Sequence, residues 1–161
     1  MTSTDQPIWH YTIRDFFSGI VRDRAIQPAA AYAGGKARPA VWFSTNDEWE
    51  PMAAKSLTCV DGSNRLLQRD ELHTVGITPI RISVSATIAP HTWHDFKRLG
   101  DVSPKIASHV VSLASRLNSK PSWWFATFEP VPRERWIAVE YFDGWQWRPM
   151  PRSVWIPSSG H

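Results

Sequence analysis

The sequence lacks several features that define large classes of protein. One cysteine, Cys59, excludes an intrachain disulfide framework and has no partners at metal-ligand spacing. No apolar run approaches the roughly twenty residues that span a membrane. Residues 1–7 are polar and contain no apolar signal core. We therefore expect a soluble, cytoplasmic protein that does not enter a membrane, with residues 1–6 flexible.

The sequence also lacks the common motifs for hydrolysis, phosphate binding and metal binding. No Gly-x-Ser-x-Gly nucleophile elbow occurs, and Gly34-Gly35-Lys36 alone is a weak match to a phosphate-binding loop. His91 and His94 lie one helical turn apart without a third strong ligand, so we expect no metal. The net charge of +3 is not concentrated in a basic run, unlike that of a dedicated duplex-binding module. A small polyanion or an RNA end suits this charge balance.

Tryptophan, in contrast, is unusually abundant, with ten in 161 residues. Its side chain is large and its indole N–H needs a partner, so it is rarely fully buried. Such use indicates stacking surfaces as well as core, although a β-rich fold that packs with Trp would show it too. Hydrophobic residues make up 42% of the chain, and its length suits one domain over residues 1–161.

The hydrophobic pattern predicts a mixture of helices and strands. Strands or short extended segments are expected over residues 7–11, 25–28, 40–44, 79–85, 123–131, 135–142, 145–147 and 154–156. Helices are expected after the first strand and over residues 48–55, 68–75, 91–99 and 103–118. We expect a mobile loop over residues 29–39, a turn over 61–64 and a hairpin turn at Asp143-Gly144. Together these predict an α+β fold with a mixed or antiparallel sheet.

The first predicted strand carries candidate ligand-binding groups. His10 and Thr12 lie two residues apart and therefore on the same side of a strand. The chain then enters a helix, where free backbone N–H groups can meet a polar ligand. Together His10 and Thr12 can bind a ribose or a phosphate. The alternative is a structural histidine, the usual role of a lone His beside an apolar run.

The order of these parts resembles the start of the poly(ADP-ribose) polymerase-type ADP-ribosyltransferase domain. There, Trp-His-Gly-Ser/Thr leads into a helix, a Gly-rich loop and a Gly-Ile-Tyr-Phe-Ala/Ser strand. Here, Trp-His-Tyr-Thr stands at residues 9–12 and Val-Trp-Phe-Ser at residues 41–44. The similarity covers roughly residues 8–55, with Tyr11 in place of the family's Gly and Trp42 in place of its first active-site Tyr. It implies an ADP-ribosyltransferase-like fold with a split sheet.

The resemblance also implies a ligand and the residues that hold it. NAD would be the substrate, with His10 on the ribose hydroxyls, Trp42 and Trp49 stacked on nicotinamide, and Ser44 near its amide. Met52 is the alternative to Trp49. The cofactor-binding candidates are His10, Tyr11, Thr12, Trp42, Phe43, Ser44, Trp49 and Arg81. Arg81 is included for its place on the strand 79–85, where it can reach a phosphate because its neighbours Ile80 and Ile82 would face the core. The alternative is a solvated Arg.

The catalytic carboxylate is sought in the predicted C-terminal hairpin, which holds Glu129, Glu134 and Glu140. A carboxylate stabilises the positive charge that develops on the ribose during ADP-ribosyl transfer. Glu140 is a lone acid on a face of its strand that is otherwise apolar and aromatic, and Glu134 stands near the strand start, where the family places its Glu. We take Glu140, then Glu134, together with His10 as the catalytic candidates. The alternative for Glu140 is a salt bridge to an Arg.

Three functions remain open at this point. The first is transfer of ADP-ribose from NAD to a protein, a nucleic acid or a small molecule, as in a bacterial or phage-borne toxin or defence system with a neutralising partner protein. The second is an RNA 2′-phosphotransferase-like enzyme, in which Arg14, Arg81 and Arg135 contact phosphate. The third is an inactive module that binds ADP-ribose, nucleic acid or protein through its Trp-rich surface.

Overall fold

The structure is a computed structural model that describes residues 6–30 and 36–156. Residues 1–5 of the segment expected to be flexible lie outside the described residues, as do residues 31–35 of the loop expected at 29–39. The elements follow in the order β1 (Pro7–Ile13), α1 (Arg14–Asp23), β2 (Ala25–Ile26), β3 (Val41–Ser44), β4 (Lys55–Thr58), β5 (Asn64–Leu67), α2 (Arg69–Thr74), β6 (Pro79–Ser85), β7 (His91–Thr92), α3 (Trp93–Leu99), α4 (Pro104–Arg116), β8 (Trp124–Thr127), β9 (Val131–Pro132), β10 (Trp136–Phe142), β11 (Trp147–Pro149) and α5 (Arg152–Trp155).

Seven of these strands form one antiparallel sheet in the order β11-β10-β6-β1-β3-β8-β7. The predicted α+β class is thereby confirmed, with the sheet antiparallel. β1 pairs with β6 along its whole length, from Pro7 opposite Ser85 to Ile13 opposite Pro79. Within the described residues β1 pairs with β3 at one position, Trp9 opposite Ser44. The sheet therefore opens between β1 and β3.

The two faces of the sheet are buried differently. One face carries a single core in which side chains of β1, β3, β6 and β10 pack against Phe17 of α1 and Trp155 of α5. The other face carries two separate clusters. One joins β3 and β8 to α3 and α4 around Phe96, and the other joins Tyr11 and Ile13 of β1 to the chain between β3 and β6. The opening between β1 and β3 lies where these two clusters meet.

Local sequence signals account for the N-terminal starts of α3 and α4. Ser103 caps α4, its hydroxyl accepting a hydrogen bond of 3.2 Å from the Ile106 N–H, and Pro104 takes the first helical position. Thr92 and Asp95 form a reciprocal capping box at the start of α3. No helix in the described part of the chain is long and apolar enough to cross a membrane.

The structure corrects three of the predicted elements. The strand expected over residues 154–156 was wrong, because the chain after Pro151 turns into α5, which buries Trp155 against Trp136 with ring centroids 5.8 Å apart. The strand expected over residues 123–131 is two strands, β8 and β9. The helix expected over 48–55 is a single 3-10 turn, Pro51–Ala53, and the chain continues into the hairpin of β4 and β5.

Candidate functional site

The opening between β1 and β3 holds a pocket of about 200 Å³. β1 and β3 contribute three residues each, the turn after β3 contributes three more, and β8 closes the wall. The lining residues are Trp9, His10, Tyr11, Trp42, Phe43, Ser44, Glu50, Met52, Ala53 and Trp124. Pockets for drug-sized ligands usually measure roughly 300–1,000 Å³. The volume of this pocket therefore suits a single ring rather than a whole dinucleotide.

His10 links the two strands across the opening. Its Nδ1–H donates a hydrogen bond of 2.8 Å to the carbonyl oxygen of Trp42. Because a carbonyl only accepts, this bond places the proton on Nδ1. Burial lowers the pKa of His10 to about 4, an effect that the bond to Trp42 opposes and the charge of Lys55 reinforces. At neutral pH the imidazole is therefore uncharged, and Nε2 is a hydrogen-bond acceptor.

Tyr11 is fixed by its surroundings on the same strand. Its hydroxyl donates a hydrogen bond of 2.5 Å to the carbonyl oxygen of Asn46, and burial raises its pKa above the usual value. Its ring packs at 5.2 Å from Trp49, whose indole N–H donates to Gln68 Oε1 at 2.7 Å. Trp49 thus lies behind Tyr11, outside the pocket lining. Met52, the alternative stacking residue, does line the pocket.

Trp42 is held at the pocket wall by aromatic contacts. Its ring meets Phe96 edge-to-face at 4.6 Å and lies 6.2 Å and 6.5 Å from Trp93 and Trp124. Its buried Nε1 makes no hydrogen bond to any residue that the structure describes. The orientation of the Trp42 ring is therefore set by packing against other rings rather than by a hydrogen bond from its indole N–H.

Glu50, which the sequence reasoning did not select, is the carboxylate of the pocket. Only 8% of the residue is exposed. Oε1 accepts a hydrogen bond of 2.8 Å from the Ser44 hydroxyl. Oε2 accepts from the Met52 N–H at 2.8 Å and from the Ser119 hydroxyl at 2.5 Å. Three donors thus converge on one buried acid and fix the position of its carboxyl group.

The two serines are themselves oriented by N–H groups. The Asn46 N–H donates to Ser44 Oγ at 3.1 Å, and the Trp124 indole N–H donates to Ser119 Oγ at 3.0 Å. Each hydroxyl therefore has its own hydrogen available for Glu50. No Lys, Arg or His forms an ion pair with Glu50 among the described residues. The network supplies hydrogen bonds to the carboxylate but no opposite charge.

Glu140 and Arg81 form an ion pair. They lie opposite each other on β10 and β6, and Arg81 Nε donates to Glu140 Oε1 at 2.9 Å. The guanidinium also lies 4.5 Å from the ring of Trp147 and 5.3 Å from the ring of Trp9. Neither Arg81 nor Glu140 lines the pocket. The structure therefore places Glu140 in the salt bridge that was the alternative to a catalytic role.

The remaining candidates lie away from the pocket. Glu134 is exposed in the turn Arg133–Arg135. Thr12 is buried opposite Ile80 and is not among the lining residues. His91 packs on Phe128 at 5.1 Å between ring centroids. In the described ranges no group of three His, Cys, Asp or Glu side chains is placed to hold a metal.

The local sequence does not single out Glu50. It stands between Trp49 and Pro51, but Asp47 and Glu48 precede it, so it is the last acid of a short acidic segment. Glu140, in contrast, was selected as a lone acid on an apolar strand. A buried acid needs partners, and these come from distant parts of the chain that a local pattern does not reveal.

Comparisons with protein-family models, with curated proteins and with solved structures find no match to this chain. The resemblance to ADP-ribosyltransferases therefore stays a prediction. Any functional assignment depends on the residues of the pocket itself.

Proposed function

We propose that this chain is an ADP-ribosyltransferase-like protein that uses NAD, with the nicotinamide end of NAD in the pocket between β1 and β3. One observation carries the proposal: residues selected from two separate sequence segments line one ring-sized pocket. Five of the cofactor-binding candidates do so, namely His10, Tyr11, Trp42, Phe43 and Ser44. The opening of the sheet between β1 and β3 further supports it, since this is where a split sheet would hold its ligand.

The hydrogen-bonding capacity of the pocket fits the two polar parts of a nicotinamide riboside. Nε2 of the neutral His10 accepts, as a ribose hydroxyl requires. Ser44 Oγ accepts one hydrogen bond from the Asn46 N–H and donates one to Glu50, which leaves it one lone pair for a carboxamide N–H. The aromatic residues of the lining give the nicotinamide ring apolar surface to pack against.

In the transfer, the bond between ribose C1′ and the pyridinium nitrogen breaks, nicotinamide leaves with the bonding pair, and the acceptor bonds to C1′ and loses a proton. Positive charge moves from the ring towards the ribose as this bond breaks. Glu50 is the carboxylate that lines the pocket and can stabilise that charge. We propose it for the role that the sequence assigned to Glu140 or Glu134. The acceptor would be a protein, a nucleic acid or a small molecule.

The test is incubation with labelled NAD, followed by measurement of nicotinamide release and of label transfer. We expect His10→Ala and Glu50→Gln to lose release, and Glu134→Ala and Glu140→Gln to keep it. Glu134→Ala is the matched control because Glu134 is exposed and lies outside the pocket. A wild-type protein that neither binds nor cleaves NAD would overturn the proposal.

A second candidate is a binding module of the same fold without catalytic activity. It is favoured by the three hydrogen bonds that Glu50 already accepts within the protein and by the ion pair between Glu140 and Arg81. Such a protein would bind NAD or ADP-ribose without releasing nicotinamide. The same incubation distinguishes the two, since saturable binding with no release in the wild type supports the module.

A further inference from the structure

The pocket combines aromatic rings with one carboxylate. Five of its lining residues are aromatic: Trp9, Tyr11, Trp42, Phe43 and Trp124. The one acidic side chain among them is Glu50. Aromatic faces attract cations through their quadrupole, most strongly where water is excluded. The aromatic rings and the carboxylate therefore both favour a positively charged ligand.

Glu50 has no cationic partner among the described residues. A buried ion is costly when hydrogen bonds alone compensate it. Its three donors, Ser44, Met52 and Ser119, are all uncharged groups. A carboxylate has about four lone-pair sites, so one position remains for a ligand. A cation in the pocket would supply the missing opposite charge.

The cationic side chains around the pocket have other partners. Arg81 is paired with Glu140 and contacts the ring of Trp9 from outside the lining. Lys55 lies 5.5 Å from the ring of Phe16, burial lowers its pKa, and its charge acts on His10. His10, which does line the pocket, is neutral because burial lowers its pKa to about 4. None of these groups forms an ion pair with Glu50, so a cationic ligand would be its first charged partner among the described groups.

We propose that the pocket selects a planar cation over its neutral counterpart and that Glu50 is the residue that confers this selectivity. For a nicotinamide nucleotide this means the oxidised pyridinium form rather than the uncharged dihydropyridine. That part rests on the proposed function, whereas the preference for a cationic ring does not.

The experiment is a calorimetric titration of the full chain with two matched pairs of ligands. The pairs are NAD against NADH, and 1-methylnicotinamide, a cation, against nicotinamide, its neutral relative. We expect the charged member of each pair to bind on the order of tenfold more tightly to the wild type. Glu50→Gln should lower both ratios to the smaller preference that the aromatic rings supply, and Glu134→Gln, at an exposed site outside the pocket, should leave them unchanged.

The outcomes separate the two proposals. Equal affinity within each pair for the wild type would overturn the charge selectivity. This measurement uses the wild type alone and does not depend on the folding of any variant. A preference that persists undiminished in folded Glu50→Gln would overturn the role of Glu50. If NAD and NADH both fail to bind while 1-methylnicotinamide binds better than nicotinamide, the proposed function fails and the selectivity stands. If NAD and NADH bind equally, the selectivity fails and NAD binding stands. Binding by none of the four ligands would overturn both.

Discussion

The imidazole Nδ1–H of His10 donates a hydrogen bond of 2.8 Å to the carbonyl oxygen of Trp42 across the opening in the sheet. β1 and β3 pair through their backbones at Trp9 and Ser44, and the side chain of His10 adds a second link beside that pair. The strands stay connected although the described residues show no further ladder pairing between them. The opening that results is the site of the pocket.

The first prediction concerns the dependence of stability on pH. The pKa of His10 is lowered to about 4 in the folded chain, whereas an unfolded chain takes up the proton near 6.5. The unfolded state therefore binds more protons between these values, and stability falls as the pH falls from about 6.5 to about 4. The loss due to His10 should be roughly 2–3 kcal/mol. Urea unfolding at a series of pH values measures it.

The control for this prediction is His10→Gln, which keeps an N–H donor and does not titrate. Acidic side chains also protonate in this range, so the informative quantity is the difference between the wild type and the variant. The wild type should lose more free energy of unfolding than His10→Gln between pH 6.5 and pH 4. Parallel pH profiles would contradict the burial of a neutral imidazole.

The second prediction concerns the hydrogen-bond network around Glu50. Glu50→Ala would leave the hydroxyls of Ser44 and Ser119 and the N–H of Met52 without their acceptor. Unsatisfied buried donors are costly, so we expect a loss of roughly 2–4 kcal/mol in the free energy of unfolding. Glu134→Ala, at an exposed acid, should change it by less than about 0.5 kcal/mol. Denaturant unfolding of both variants checks this, and equal effects would contradict the network.

The third prediction separates a structural from a catalytic role for Glu140. Its ion pair with Arg81 is largely buried, with 24% and 11% of the two side chains exposed. A double-mutant cycle of Arg81→Met and Glu140→Gln should give a coupling energy of about 1–3 kcal/mol. Nicotinamide release should persist in folded Glu140→Gln. A coupling near zero together with loss of release would restore Glu140 as a catalytic candidate.

The fourth prediction concerns the packing that holds Trp42. Phe96 is fully buried and meets the Trp42 ring at 4.6 Å. Phe96→Ala removes that support, and we expect a loss of about 3–5 kcal/mol in stability. Leu99→Ala in the same helix is the control, because Leu99 is exposed and should cost little. Thermal unfolding of the two variants should separate them clearly, and similar melting temperatures would argue against this packing role.

Local sequence patterns predicted those elements whose signals are contained within a few residues. β1, β3 and β6 follow from short apolar runs, and α4 follows from its Ser103-Pro104 start. The segment of α5 was predicted as a strand because four residues are too few to distinguish the hydrophobic period of a helix from that of a strand. There the burial of Trp155 accompanies a helical turn.

The pocket was only partly predictable for a different reason. His10, Trp42 and Ser44 could be selected because they stand in short motifs on neighbouring strands. Glu50 could not, since its partner Ser119 lies 69 residues away in the chain. Arg81 and Glu140 likewise meet across 59 residues, and a lone acid on an apolar strand does not reveal which partner it has.

Binding of NAD to the pocket is the most direct measurement of the central claim. Ala53 lines the pocket with a small side chain, so Ala53→Phe should fill the space that the ring requires. Calorimetric titration should show saturable binding of NAD to the wild type and to Glu134→Ala, and at least a tenfold loss in folded Ala53→Phe. Equal affinity of the wild type and Ala53→Phe, or no binding of NAD to the wild type, would contradict a nicotinamide site between β1 and β3.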